Sequence, residues 1–212
     1  MIEVFLPITL FTPVLLSQVN SQEDVYKTEP LYITTYSNNE DTNKENAKNS
    51  EVKNYVVYKV YAMGLAVADM YITNKDGKIE AKGQTYKSLS WLYNYDFLYM
   101  EEGEYKALYE KENKKERIYE NQEIYEKKPW LPIIANFFKG KISPDEVLSM
   151  KIYINNAPVL ISKEETGNEI KYIFEPQKSK TKKIMVFIKK NENTPYRIEI
   201  EGKVNITLEK IN

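Results

Sequence analysis

Tyr55–Thr73 reads YVVYKVYAMGLAVADMYIT, and this stretch decides the fold. It is dense in β-branched and aromatic residues, and Gly64 breaks it into two runs of strand length. Asn74-Lys75-Asp76-Gly77 follows as a turn, with a glycine free to take positive φ, and Lys78–Lys87 reads as the returning strand. The pattern continues through strands expected at Asp96–Met100, Tyr105–Lys111 and Glu116–Tyr125, the last two joined at Asn113-Lys114-Lys115. Further strands are expected at Leu148–Ile154, Pro158–Lys163, Glu169–Glu175, Lys183–Lys189, Tyr196–Glu201 and Lys203–Glu209. In the closing pair Tyr196, Ile198 and Ile200 alternate with Arg197, Glu199 and Glu201, the signature of an antiparallel sheet with one wet face. The chain is therefore expected to be mainly β. A sheet of about ten strands curls into a half-barrel or open barrel, here with one or two short helices.

The convincing helix is Pro129–Lys139, PWLPIIANFFK. Trp130, Ile133, Ile134, Phe137 and Phe138 fall on one helical face, Pro132 sits in the first turn, and Gly140 supplies the stop. A second short turn is expected at Ser143, where SPDE fits a capping box closed by Glu146.

Outward from the β region, residues 37–54 (SNNEDTNKENAKNSEVKN) hold almost nothing apolar and read as a solvated linker. Ahead of it stands a strand-like island, Leu31–Tyr36. Val4–Leu16, VFLPITLFTPVLL, is an uncharged apolar run of signal-peptide length with small residues Val19 and Ser21 behind it, so cleavage is expected between Ser21 and Gln22. Glu3 is an unusual neighbour for such a run; a core peptide of a cytosolic protein and an uncleaved anchor are the alternatives. The expected organisation is a signal peptide over 1–21, an extension and polar linker over 22–54, and one β-rich domain over 55–212. The expected location is the periplasm of a Gram-negative bacterium, with no integral membrane span after cleavage.

Composition narrows the chemistry. Thirty Lys and Arg against 31 Asp and Glu leave a net charge of −1, which provides no global field for nucleic acid. The sequence has no Cys and no His. Thiol chemistry, disulfides and His-based triads are therefore absent from it. Eighteen tyrosines suit pleated half-buried surfaces, and they also suit sites that hold apolar or carbohydrate groups. Abundant Lys, Glu and Ile with little Gln suit a thermophile. Carboxylate pairs at Glu101-Glu102-Glu104, Asp145-Glu146 and Glu164-Glu165 read as turn and edge solvation, since neighbours on a strand point to opposite faces. The Ser-x-x-Lys spacings at Ser50/Lys53 and Ser179/Lys182 read as chance. Asn205-Ile206-Thr207 matches a glycosylation sequon within a strand. Lys178, Lys180, Lys182 and Lys183 form a local basic patch on an expected hairpin turn, able to touch anionic lipid or polysaccharide or simply to keep an edge solvated. No catalytic residue, metal site or cofactor motif is read.

The order of several pieces resembles an exported bacterial family, domain-of-unknown-function family 3108. YVVYKVYAMGLAVADMYI is similar to its opening hairpin, in which a strand ends at a glycine and a small-residue strand follows; Gly64, Ala66 and Ala68 stand in those places. WLPIIANFFKGK resembles its mid-chain helix. ISKEETGNEIKYIFEP, with Glu165 and Gly167, resembles a shortened form of its central hairpin, and TPYRIEIEGKVNITLEKI resembles its closing strands. The resemblance implies an exported antiparallel β protein, a curved sheet with a helix in its mouth, similar in outline to lipoprotein-carrier half-barrels. It brings no catalytic residues with it.

The functional expectation is a non-enzymatic envelope protein that binds an apolar or amphipathic, lipid-like partner in a concave pocket. Its candidate lining is Trp91, Tyr93, Trp130, Ile134, Phe137 and Phe138. An envelope assembly module acting through sheet edges and the basic hairpin is the alternative, and a carboxylate-based glycan hydrolase comes third.

Overall fold

A computed structural model describes residues 55–211. The expected signal peptide with its Ser21/Gln22 cleavage point, the expected strand-like island at 31–36, the expected polar linker and Ser50/Lys53 lie outside the described residues. The strands are β1 (Tyr55–Ala62), β2 (Leu65–Lys75), β3 (Lys78–Thr85), β4 (Tyr95–Glu102), β5 (Tyr105–Glu112) and β6 (Lys115–Glu120), then β7 (Tyr153–Ile154), β8 (Ala157–Thr166), β9 (Glu169–Pro176), β10 (Lys183–Lys189), β11 (Arg197–Glu201) and β12 (Ile206–Ile211). Between β6 and β7 lie three short helices, α1 (Gln122–Lys127), α2 (Trp130–Ala135) and α3 (Pro144–Leu148). All pairings are antiparallel and the order is β6-β5-β4-β3-β2-β1-β12-β11-β10-β9-β8-β7, an open sheet of twelve strands.

Short-range chemistry sets the hairpins. Asp76 and Gly77 both take positive φ, 53° and 84°, as a two-residue turn matched to strand twist requires, and the Gly77 N–H donates to Asn74 Oδ1 at 3.1 Å. Between β1 and β2 the register shifts at Val60/Tyr61, where Ala68 opposes Val60 and Ala66 opposes Tyr61. Val67 is thus the extra residue of a bulge, and its freed carbonyl accepts from Tyr86 N–H at 2.9 Å.

One face of the sheet carries the core. Val60, Leu208, Ile198, Val186 and Tyr172 stand opposite one another across five successive strands. The helical segment lies on this face. Phe138 meets Tyr58 edge-on at 6.1 Å, Phe137 meets Phe174 edge-on at 6.1 Å, and Trp130 meets Phe97 edge-on at 5.9 Å. Phe97 on β4 and Phe174 on β9 are seven strands apart, about 34 Å in a flat sheet at ~4.8 Å per strand. Trp130 and Phe137 are at most about 10 Å apart along a helix. The sheet therefore wraps around the segment, and this produces the half-barrel curve. Tyr58 on β1 reaches across β12, its buried hydroxyl donating at 2.5 Å to the carbonyl of Pro195, just ahead of β11.

Several expected boundaries move. There are twelve strands, the last of them at the β8 edge being the two-residue β7, which pairs with β8 only through Tyr153 and Ile154. The strand expected over Glu116–Tyr125 stops at Glu120; Asn121 turns the chain at φ 45°, and α1 then buries Ile124 completely. The strand expected over Leu148–Ile154 shrinks to Tyr153–Ile154. The capping box wins there: Glu146 N–H donates to Ser143 Oγ at 3.2 Å and Ser143 N–H donates to Glu146 Oε2 at 2.6 Å, which makes the segment helical through Leu148. The expected Pro129–Lys139 helix is α2 followed by a 3-10 turn, Asn136–Phe138. The last strand runs over Ile206–Ile211, because residues 203–205 complete a turn.

Candidate functional site

Strict antiparallel order places six connections at one end of the strands: those joining β1 to β2, β3 to β4, β5 to β6, β7 to β8, β9 to β10 and β11 to β12. They form a continuous rim. Asn113 N–H donates to the Asn94 carbonyl at 2.7 Å, and Asn94 N–H donates to Asn113 Oδ1 at 3.1 Å. The 86–94 loop reaches the β1–β2 hairpin through the Tyr86–Val67 bond, and Met63 N–H reaches the Asn205 carbonyl at 3.5 Å. Gly202 lies so close to the Lys180 carbonyl that a Cβ would meet it at 3.3 Å, and Asn155 Nδ2 donates to the Lys178 carbonyl at 2.6 Å.

This rim exposes what a folded surface usually hides. Met63 is 84 % exposed, Trp91 81 %, Leu92 70 %, Leu65 67 % and Val204 45 %. Met63 also holds φ 53°, a left-handed position that hairpins normally give to Asn or Gly. The 86–94 loop is anchored at its root by the Tyr86 hydroxyl, which donates to Asp69 Oδ1 at 2.6 Å. Burial, reinforced by this bond, pushes the Tyr86 hydroxyl pKa up. From the other end of the loop an aromatic ladder runs inward: Tyr93 stacks on Tyr95 at 6.2 Å, Tyr95 meets Phe97 at 6.0 Å, and Phe97 meets Trp130.

The six expected pocket residues therefore divide. Ile134, Phe137 and Phe138 are buried among the sheet's inner side chains, and Trp130 is half-buried at the edge of the same core. Trp91 projects from the rim, and Tyr93 lies between, its hydroxyl donating to Glu112 Oε1 at 3.2 Å. They do not line one cavity, because the helical segment itself fills the inner face. Hydrophobicity marked both groups in the sequence without separating filling from exposure. The basic patch is redrawn as well. Lys178, Lys180 and Lys182 are exposed on the β9–β10 connection, but Lys183 lies within β10 and pairs with Glu175 at 3.3 Å. Lys87, Lys114 and Lys203, far away in sequence, join the first three on the rim.

Two glutamates are almost fully buried, Glu101 at 1 % and Glu110 at 2 % exposure. Glu101 takes Lys139 at 2.6 Å and Lys106 at 3.2 Å, while Glu110 takes Arg117 at 3.0 Å and Lys128 at 3.2 Å. Lys128 and Lys139 flank the α2 segment, so these carboxylates clasp it to the sheet at both ends. Glu101 faces Lys106, four residues along β5 from Glu110, a separation of about 13 Å along a strand. That exceeds the spacing of a glycosidase carboxyl pair. Ser179 Oγ accepts from Thr181 N–H at 3.2 Å, a turn contact within the rim.

The fold and rim define a class of protein: a curved antiparallel sheet wrapped around a helical plug, with chemistry-bearing side chains gathered along one end of the strands. No family model matches the sequence. A protein of Aquifex aeolicus (strain VF5), described as uncharacterized, is 36% identical over 152 residues, covering 71% of this chain and 81% of its own length. The chain belongs to the same family as that protein. Among the described residues no helix is long and apolar enough to cross a membrane.

Proposed function

We propose that this is an exported, non-enzymatic protein of the bacterial envelope that binds an amphipathic, lipid-like partner at the rim of its sheet. The observation that carries the reading is the projection of Trp91, Leu92 and Met63 from adjoining connections, with Leu65 at the first position of β2, on a chain whose inner face is already filled by its own helices. Large exposed apolar clusters mark interaction sites, and Trp beside aliphatic side chains suits an interface that is apolar on one side and wet on the other. The run at Val4–Leu16 and the resemblance to family 3108 support export and the envelope setting.

Titration with dodecylphosphocholine micelles tests this reading. In a Trp130→Phe background Trp91 is the only indole; its emission shifts to the blue on binding, and Leu92→Ser with Leu65→Ser weakens the titration. A folded protein whose Trp91 emission ignores micelles overturns the reading. N-terminal sequencing of the protein from fractionated cells tests export, and an intact Met1 in the cytosolic fraction overturns it. An envelope assembly role is the second reading, favoured by Ile118 exposed on the edge strand β6. Pull-down from membranes with an Ile118→Lys control separates the two.

A further inference from the structure

We propose that the rim is a docking surface for a bilayer rich in anionic phospholipid; this rests on the amphipathic-partner reading above and names the headgroup class. The connections that make the rim are residues 63–64, 86–94, 113–114, 155–156, 177–182 and 202–205. They contain six lysines, Lys87, Lys114, Lys178, Lys180, Lys182 and Lys203, and no Asp or Glu. All six lysines are exposed, and among the described residues none forms an ion pair.

The opposite end of the same strands is the contrast. Its connections carry Asp76, Glu104 and Glu192, and three lysines there are matched, Lys78 with Glu102 at 3.6 Å, Lys189 with Glu192 at 3.3 Å and Lys190 with Glu165 at 3.2 Å, while Lys75, at the same turn as Lys78, has no ion pair among the described residues. A chain with net charge −1 is thus strongly polarised along its strands, with unmatched positive charge gathered where the apolar side chains project.

The combination selects the partner. Lysines alone fit any polyanion, and apolar tips alone fit any greasy surface. Together on one rim they fit an interface with phosphate outside and hydrocarbon beneath. Trp91, Leu92 and Met63 on neighbouring connections, with Leu65 at the first position of β2, enter the headgroup–acyl boundary together. The lysines on either side, Lys114 beyond the 86–94 loop and Lys203, Lys180 and Lys182 beyond Met63, stay at the level of the phosphates. The inner face plays no part, so binding needs no opening of the sheet.

Vesicle flotation with the purified protein tests this, using phosphatidylcholine alone and phosphatidylcholine mixed with phosphatidylglycerol. The mixed vesicles are expected to float the protein, with a blue shift of Trp91 in the Trp130→Phe background and weaker binding as salt is raised. Replacing Lys180, Lys182 and Lys203 together by Gln is expected to weaken binding about a hundredfold, taking about fivefold per lysine near an anionic surface. Replacing Lys189 and Lys190 at the opposite end by Gln is expected to leave it unchanged. Equal binding to neutral and mixed vesicles through Trp91 overturns the anionic docking and leaves the amphipathic-partner reading standing. Failure to bind either vesicle or micelles, in a protein with native unfolding behaviour, overturns both. Retention on heparin without vesicle binding, or vesicle binding that ignores the rim lysines, overturns the docking.

Discussion

Lys139 places its ammonium 2.6 Å from Glu101 Oε1, so the residue that follows the apolar helical segment is tied to a carboxylate almost without solvent contact. Lys106 and the Tyr99 hydroxyl, the latter donating at 2.7 Å, complete the site. Lys139→Met alone leaves Glu101 two partners and is expected to cost about 1 kcal/mol. Lys106→Met with Lys139→Met strands a buried charge and is expected to cost about 3–5 kcal/mol. Urea unfolding of the singles and the double measures the coupling; strict additivity would mean that the two lysines do not share the carboxylate.

Glu110 makes the other clasp responsive to acid. Burial pushes its carboxyl pKa up, but Lys128, the Tyr95 hydroxyl and Arg117 outweigh that and hold it below its ordinary value. A folded-state pKa below the unfolded one gives stability that is present above the ordinary carboxyl range and lost as pH falls through the lowered value. Glu110→Gln is therefore expected to unfold more easily at neutral pH and to lose less stability on acidification than the parent. Urea midpoints measured from neutral pH into the acid range check both; a parallel loss in the two proteins would mean that Glu110 does not carry the effect.

Gly83 is required by its neighbour across the sheet. A Cβ at this position would sit 2.6 Å from Phe97 Cε1 and 3.4 Å from the Asp69 carbonyl, and the Phe97 ring is held between Tyr95 and Trp130. Gly83→Ala is expected to cost about 1–3 kcal/mol through overpacking. Adding Phe97→Leu is expected to return part of that loss, and an unchanged deficit in the double variant would contradict the steric account.

The core and the rim differ sharply in what they contribute to stability. Phe137→Ala removes a buried ring packed on Tyr172 and Phe174 and is expected to cost about 3–5 kcal/mol. Trp91→Ala and Leu92→Ala are expected to change stability by less than about 0.5 kcal/mol. Thermal unfolding of the three variants tests the division, and a large loss at Trp91 would place it in the fold rather than at a surface site.

The sequence by itself determined the local framework. The β-branched runs specified strands, Asn74–Gly77 specified its turn, and Ser143 with Glu146 specified a helix start, because each of these is decided within a few residues. It also marked the apolar segment 129–139 and the expected curved, mainly β sheet. Period-2 patterning misread 121–125 and 148–152. At the first, burial of Ile124 outweighed alternation, which cannot be weighed without knowing what lies opposite; at the second, the local capping box of Ser143 and Glu146 carried the chain helical through Leu148. Only the tertiary structure decided that Phe137 and Phe138 fill the inner face while Trp91 stays outside, since hydrophobicity alone reads the same in both places. It alone brought Lys87, Lys114 and Lys203 onto one rim with Lys178, Lys180 and Lys182. In sequence they are scattered over more than half the described chain, and the antiparallel order of the strands returns every second connection to the same end.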